Sequence, residues 1–126
     1  MENTNLVVQE TERMFYPESA VEAWIFEGIP CFIRKIEFYT GIVHHYAGYA
    51  VIIGMKETNY FGMDIHVHGG VTYAEKMENV DAVVIGFDCA HWGDDNSAQT
   101  RDIAWLKKET ETMAIQAKKM LPENVG

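Results

Sequence analysis

Long apolar runs, basic charge and cysteine are all scarce in this chain of 126 residues, and each scarcity removes a class of protein. No uninterrupted apolar stretch approaches the roughly 20 residues that a membrane-spanning helix needs, so no membrane partner is expected. The opening MENTNLVVQETER carries acidic side chains and lacks the basic flank and apolar stretch of a secretory leader, which makes the cytoplasm the expected location. Ten basic residues stand against nineteen acidic ones, and the formal charge of -9 repels a phosphate backbone, so no DNA or RNA partner is expected. A small anion is still compatible with that charge where backbone donors and one or two arginines form a local pocket. Only Cys31 and Cys89 are available for thiol chemistry. Their spacing matches no zinc motif, and in an unexported chain they read as buried thiols.

What the chain does contain is 48% hydrophobic and 12% aromatic residues, enough for one folded core. A single domain over residues 1–126 is expected, small enough that assembly into a homo-oligomer is an easy route to further burial. Residues 1–15 show no period and read as an extended arm. Pro17 to Ala20 have the composition of a first helical turn, which predicts a short helix running towards Trp24. Ala23 to Glu27 and Pro30 to Phe38 predict two strands, or one bent strand, about Gly28, and His44 to Met55 predicts another. Gly48 inside that strand implies a bulge or the close approach of a neighbour.

Between Asp64 and Thr72, Ile65, Val67 and Val71 alternate with His66, His68 and Thr72, the period of a half-buried strand. The run Ala82 to Phe87 is apolar apart from Gly86, as in a central strand, and delivers a polar loop from Asp88 to Gln99. From Arg101 to Leu121 a stripe of Ile103, Leu106, Thr110, Met113, Ala117 and Met120 predicts a long helix, with Thr100 or Ser97 as its cap and Lys107 and Glu111 paired on its other side. Trp105 lies beside that stripe. Together these elements predict an α+β domain: an antiparallel sheet of four to five strands, a short N-terminal helix and a long C-terminal helix.

Three chemistries fit the polar stretch. His66 and His68 on one strand face, completed by Asp88, His91 or Asp94, would bind a metal and make a hydrolase. Cys89 beside His91 would make a nucleophile, although its apolar surroundings favour a buried thiol. Binding alone asks for less: Phe87, Trp92 and Tyr73 as faces for a base, Arg101 and the helix start as phosphate donors, and Asp88, Asp94 and Asn96 as partners for hydroxyls and base edges. On that reading no catalytic residue, metal or cofactor is required. An acidic surface that engages another protein is a further possibility, with no feature that specifies its partner.

The motifs VHGGVTY (Val67 to Tyr73) and GFDCAHWGD (Gly86 to Asp94), with GIPC (Gly28 to Cys31) and RDIAWLKKE at the start of the last helix, span most of residues 24–121. In these the chain resembles a family of small proteins of phages, prophages and bacteria, and is similar to the type one Thoeris anti-defence proteins. Those are viral sponges that sequester cyclic ADP-ribose isomers made by bacterial TIR immune enzymes. The resemblance implies a non-enzymatic homo-oligomer in the host cytoplasm, with a ligand pocket shared between subunits and, in some members, capture of cyclic oligonucleotides. It implies ligand contacts at Phe87, Asn96 and Arg101, with Trp24 ahead of GIPC as a further candidate. The chain departs from the family pattern in two connections, both shorter here: the one from the Gly48 to Val51 strand to VHGG, and the one from Gly93 and Asp94 to the helix.

Overall fold

The computed structural model describes residues 20–38, 43–56, 58–59, 63–78, 80–89 and 99–121. They form an α+β domain. Five strands, β1 (Ala20–Phe26), β2 (Ile29–Phe38), β3 (Val43–Ile53), β4 (Tyr73–Lys76) and β5 (Ala82–Asp88), make one antiparallel sheet in the order β1-β2-β3-β5-β4. A 3-10 turn, Gln99–Arg101, leads into helix α1, Ile103–Lys119. No helix among the described residues is long and apolar enough to cross a membrane.

The hairpin between β1 and β2 turns on Glu27 and Gly28 alone, both at positive φ (49° and 81°), the signature of a type I′ turn whose twist matches that of the strands. Two strands therefore stand on either side of Gly28, not one bent strand. The predicted N-terminal helix is corrected where it can be seen: Ala20 to Trp24 pair with β2 in a ladder, while residues 17–19, like the proposed arm of residues 1–15, lie outside the described residues. The alternation Val21, Ala23, Ile25 against Glu22, Trp24, Phe26 explains it. Period two lets one side face the helix and the other face away, and Val21 and Ile25 remain about half exposed on the outer side.

Residues 64–72 are the second correction. They form no strand; pairing to β5 begins only where the Thr72 amide donates to the Gly86 carbonyl. Gly69 and Gly70 both take positive φ, and the Gly70 amide closes a turn on the Val67 carbonyl at 2.8 Å. The period-two signal came from one-sided burial, because Ile65, Val67 and Val71 pack into the core under α1 without a neighbouring strand.

Helix α1 lies across β2 and β3. Its buried residues are Leu106, Thr110, Met113, Ala114 and Ala117, whereas Met120 at the end of the predicted stripe is exposed. Asp102 caps the start, its carboxylate accepting from the Ala104 amide at 3.0 Å, in place of Thr100 or Ser97. The two sheet faces bury separate clusters. Cys31, Ile33, Ala50, Ile52, Val83, Ile85, Phe87 and Cys89 meet the helix, while Phe32, Ala47, Tyr49, Val51, Ala82 and Val84 turn the other way.

Register explains both sheet glycines. Gly48 opposes Phe87 and Gly86 opposes Tyr49, so each glycine sits across from an aromatic ring that fills the space a side chain would take. At Gly48 the ladder runs without a bulge, and a Cβ would meet the Thr110 hydroxyl and the Phe87 ring. The close neighbours are the helix and that ring.

Candidate functional site

Strand alternation divides the predicted ligand residues. Phe87 and Asp88 are consecutive in β5 and therefore face opposite ways: Phe87 is 1% exposed beneath α1, whereas Asp88 shares the other face with its cross-strand partner Ala47. Trp24 lies on the helix face of β1, three strand spacings or roughly 14 Å from β5. Its indole donates to Glu111 at 3.0 Å and the Lys107 ammonium sits 4.9 Å from its ring, with Lys107 also 3.8 Å from Glu22. Lys107 and Glu111 thus hold β1 to the helix instead of pairing along it. Arg101 closes the 3-10 turn and is exposed. Trp92 and Asn96, with His91, Asp94 and Ser97, lie outside the described residues.

The fold nonetheless brings Arg101 and Asp88 to the same end of the molecule. Contacts of Lys107 with Glu22 and of Lys118 with the Glu27 carbonyl make α1 run in the direction of β1. Through two antiparallel pairings that is also the direction of β3, so the helix starts where β3 begins and β5 ends. The carboxylate of Asp102 caps the positive helix start, and Arg101, at the end of the 3-10 turn, precedes it in the chain.

On the face away from α1, sequence reasoning missed a polar and aromatic cluster around Asp88. Phe32 and Tyr49 stack at 4.9 Å, and Tyr73 meets Tyr49 edge-on at 5.6 Å. The Arg34 guanidinium lies 5.8 Å from the Tyr49 ring and hydrogen-bonds to the Tyr49 hydroxyl, and the Tyr73 hydroxyl donates to Glu75 at 2.7 Å. Burial pushes the Tyr49 pKa above its ordinary range; Arg34 opposes the rise and the nearby Asp88 charge adds to it. Tyr73 is also pushed up, first by burial and then by its hydrogen bond to Glu75. The alternation of Phe32 and Arg34 with Ile33 and Lys35 was the available signal, but only the register shows which neighbours they meet.

No known protein family, characterised protein or solved structure matches this chain.

The histidines sit elsewhere. The His66 backbone is gripped by Gln116 of α1, whose side chain accepts from the His66 amide at 2.7 Å and donates to the His66 carbonyl at 2.8 Å. Its imidazole is exposed, 3.2 Å from Asp64. The His68 amide donates to Glu109 at 3.0 Å and its ring meets Trp105 edge-on at 5.3 Å. This segment packs on the helix face, so His66 and His68 do not converge with Asp88 on the other face. Among the described residues, no three His, Cys, Asp or Glu side chains are placed to hold one metal ion. Cys89 is buried, and burial followed by the Glu111 charge pushes the Cys31 pKa up to about 12.

Proposed function

We propose that this chain is a non-enzymatic, homo-oligomeric sponge that binds a cyclic ADP-ribose type signalling nucleotide and releases it intact. This is the activity of the type one Thoeris anti-defence proteins that its motifs resemble, and it would act in the cytoplasm of the host cell. The observation that supports the reading is the company of Asp88: one sheet face joins it to Arg34, Tyr49 and Tyr73. A guanidinium, a carboxylate and aromatic faces are what phosphate, ribose and base require. Arg101 adds a cation at the same end of the sheet, while Phe87 fills the core beneath Asp88. Sequestration needs binding only.

The experiment is incubation of purified protein with a panel of cyclic ADP-ribose isomers, followed by chromatography of the free ligand before and after heat denaturation. The expected result is depletion of one isomer and its recovery unchanged. Recovery as products would instead make this a hydrolase, and one that does not work through His66 and His68 acting with Asp88, which lie on opposite faces of the sheet. An isomer panel that stays wholly free would end the sponge reading. Cyclic oligonucleotides belong in the same panel, because some sponges of this kind capture them.

A further inference from the structure

The two edges of the sheet are finished differently. β4, at one edge, is four residues long and ends in exposed Glu75 and Lys76, charges of the kind that keep an edge from pairing with another chain. β1, at the other, is seven residues of sequence AVEAWIF with Glu22 as its one charge, and Val21, Ala23 and Ile25 stand exposed along its outer side. Its backbone is open there as well. The two-residue turn makes Phe26 and Ile29 a hydrogen-bonded pair, so alternation bonds Trp24 to Cys31 and Glu22 to Ile33. The N–H and C=O groups of Ala23 and Ile25 therefore point away from β2. Pro30, which has no N–H to give, falls opposite Ile25 at a non-bonded position, and the one register shift of this ladder lies at the start of β1, between Ala20 and Glu22. Among the described residues no strand lies beyond β1.

We propose that the β1 edge docks a second copy of this chain, antiparallel and about a twofold axis at Ala23, so that the two sheets join into one. The inference goes beyond the sponge reading, which requires a homo-oligomer without specifying its surface. Bonding needs outward-facing groups on both copies, so odd-numbered residues of β1 must meet odd-numbered ones. Registers centred on Glu22, Ala23 or Trp24 satisfy this with most of the strand paired. Centred on Glu22, like charges oppose one another. Centred on Trp24, the two indoles meet and bring together the Lys107 ammoniums that lie 4.9 Å from each ring. Centred on Ala23, Glu22 faces the partner's Trp24 and the Lys107 ammonium over it, the combination already found within one chain, where Lys107 lies 3.8 Å from Glu22. The same register sets Val21 against the partner's Ile25 and pairs all seven residues of the strand, so the exposed apolar side chains of one copy cover those of the other. A chain of formal charge -9 needs such a nearly neutral strip to meet its copy. Helix α1 packs on β2 and β3 and leaves the edge clear.

Analytical ultracentrifugation of the full chain tests the assignment, with circular dichroism to establish that each variant folds. Ala23→Glu and Ala23→Lys each set like charges against one another at the axis and should weaken self-association by more than about tenfold. An equimolar mixture of the two should restore it, because only at an axis does a residue meet its own copy. Hydrogen exchange reads the same contact: the Ala23 and Ile25 amides, which β2 does not bond, should be protected in the wild-type protein and lose protection in Ala23→Glu. A wild-type assembly that both variants leave intact, or a mixture that does not recover, overturns the interface and leaves a homo-oligomeric sponge joined elsewhere. A wild-type protein that stays monomeric overturns it too, and protected amides in that monomer would assign the edge to the chain's own residues before Ala20. Ligand depletion by such a monomer would keep the binding half of the sponge reading.

Discussion

The two faces of the sheet are built from the same strands and do different work. Beneath α1, aliphatic side chains and Phe87 meet Leu106, Met113, Ala114 and Ala117 in a closed layer. Its buried polar side chain, Thr110, returns its hydroxyl to the Leu106 carbonyl at 2.7 Å. The opposite face begins with the same apolar strands but ends in stacked rings, Arg34, Glu75 and Asp88. A face that only stabilises has no use for a half-buried guanidinium and carboxylate, whose desolvation opposes folding. Their presence on the second face is why the proposed binding is placed there.

The cross-strand glycines sharpen this contrast. A methyl at Gly48 would lie 2.3 Å from the Thr110 hydroxyl and 2.5 Å from the Phe87 ring, both locked by the helix. Gly48→Ala should cost about 3 kcal/mol and lower the melting temperature by about 10 °C. At Gly86 the added methyl would meet the Tyr49 ring at 2.7 Å, and that ring lies near the half-buried rim formed by Arg34 and Tyr73. Gly86→Ala should therefore cost less, about 1–2 kcal/mol, because the ring can tilt. Its larger effect should fall on ligand affinity, through displaced Tyr49. Equal losses of stability in the two variants, measured by thermal melts, would break the distinction between a closed and a yielding face.

The thiols probe the closed face without mutation. Cys31 and Cys89 are both nearly inaccessible and both lie on the helix side. Ellman's reagent at pH 8 should label neither in the native protein and both after denaturation. Burial holds Cys31 protonated in the fold well beyond the ordinary 9.0, to about 12. A raised folded pKa means its contribution to stability is complete below pH 9 and is lost as pH climbs towards 12. Rapid native labelling of Cys31 would show that the helix face opens.

Patterns within one element were legible in the sequence, and relations between elements were not. The alternation in β2, the apolar run of β5 and the stripe of α1 each gave the right element, because burial on one side leaves its period in the chain. The same logic misled at Ile65, Val67 and Val71, where one-sided burial occurs without a ladder. The helix proposed to run towards Trp24 failed for a related reason: a proline and an acidic residue fit a first turn, but the ladder with β2 decided the conformation of Ala20 to Trp24. For the proposed site, Asp88 stands out in the sequence from its place at the end of a strand. Arg34 and Tyr49 do not, because only the pairing of Arg34 with Ala47 and of Ala47 with Asp88 makes them neighbours.

The histidine segment supplies the smallest test, and it concerns what replaces a strand partner. An amide side chain carries one acceptor and one donor in a plane, as a backbone peptide does, so Gln116 meets His66 in the manner of a neighbouring strand. Gln116→Ala should cost about 1 kcal/mol, since both bonds lie near solvent where water can replace them. Hydrogen exchange should localise the effect, with the His66 amide losing protection while Ala50, in the middle of β3, keeps its own. Gln116→Glu keeps the acceptor for the His66 amide but sets an anionic oxygen against the His66 carbonyl, so it should recover only part of the protection. Unchanged exchange at His66 in Gln116→Ala would mean that Ile65, Val67 and Val71 alone hold the segment, and that burial does here what hydrogen bonding does in the sheet.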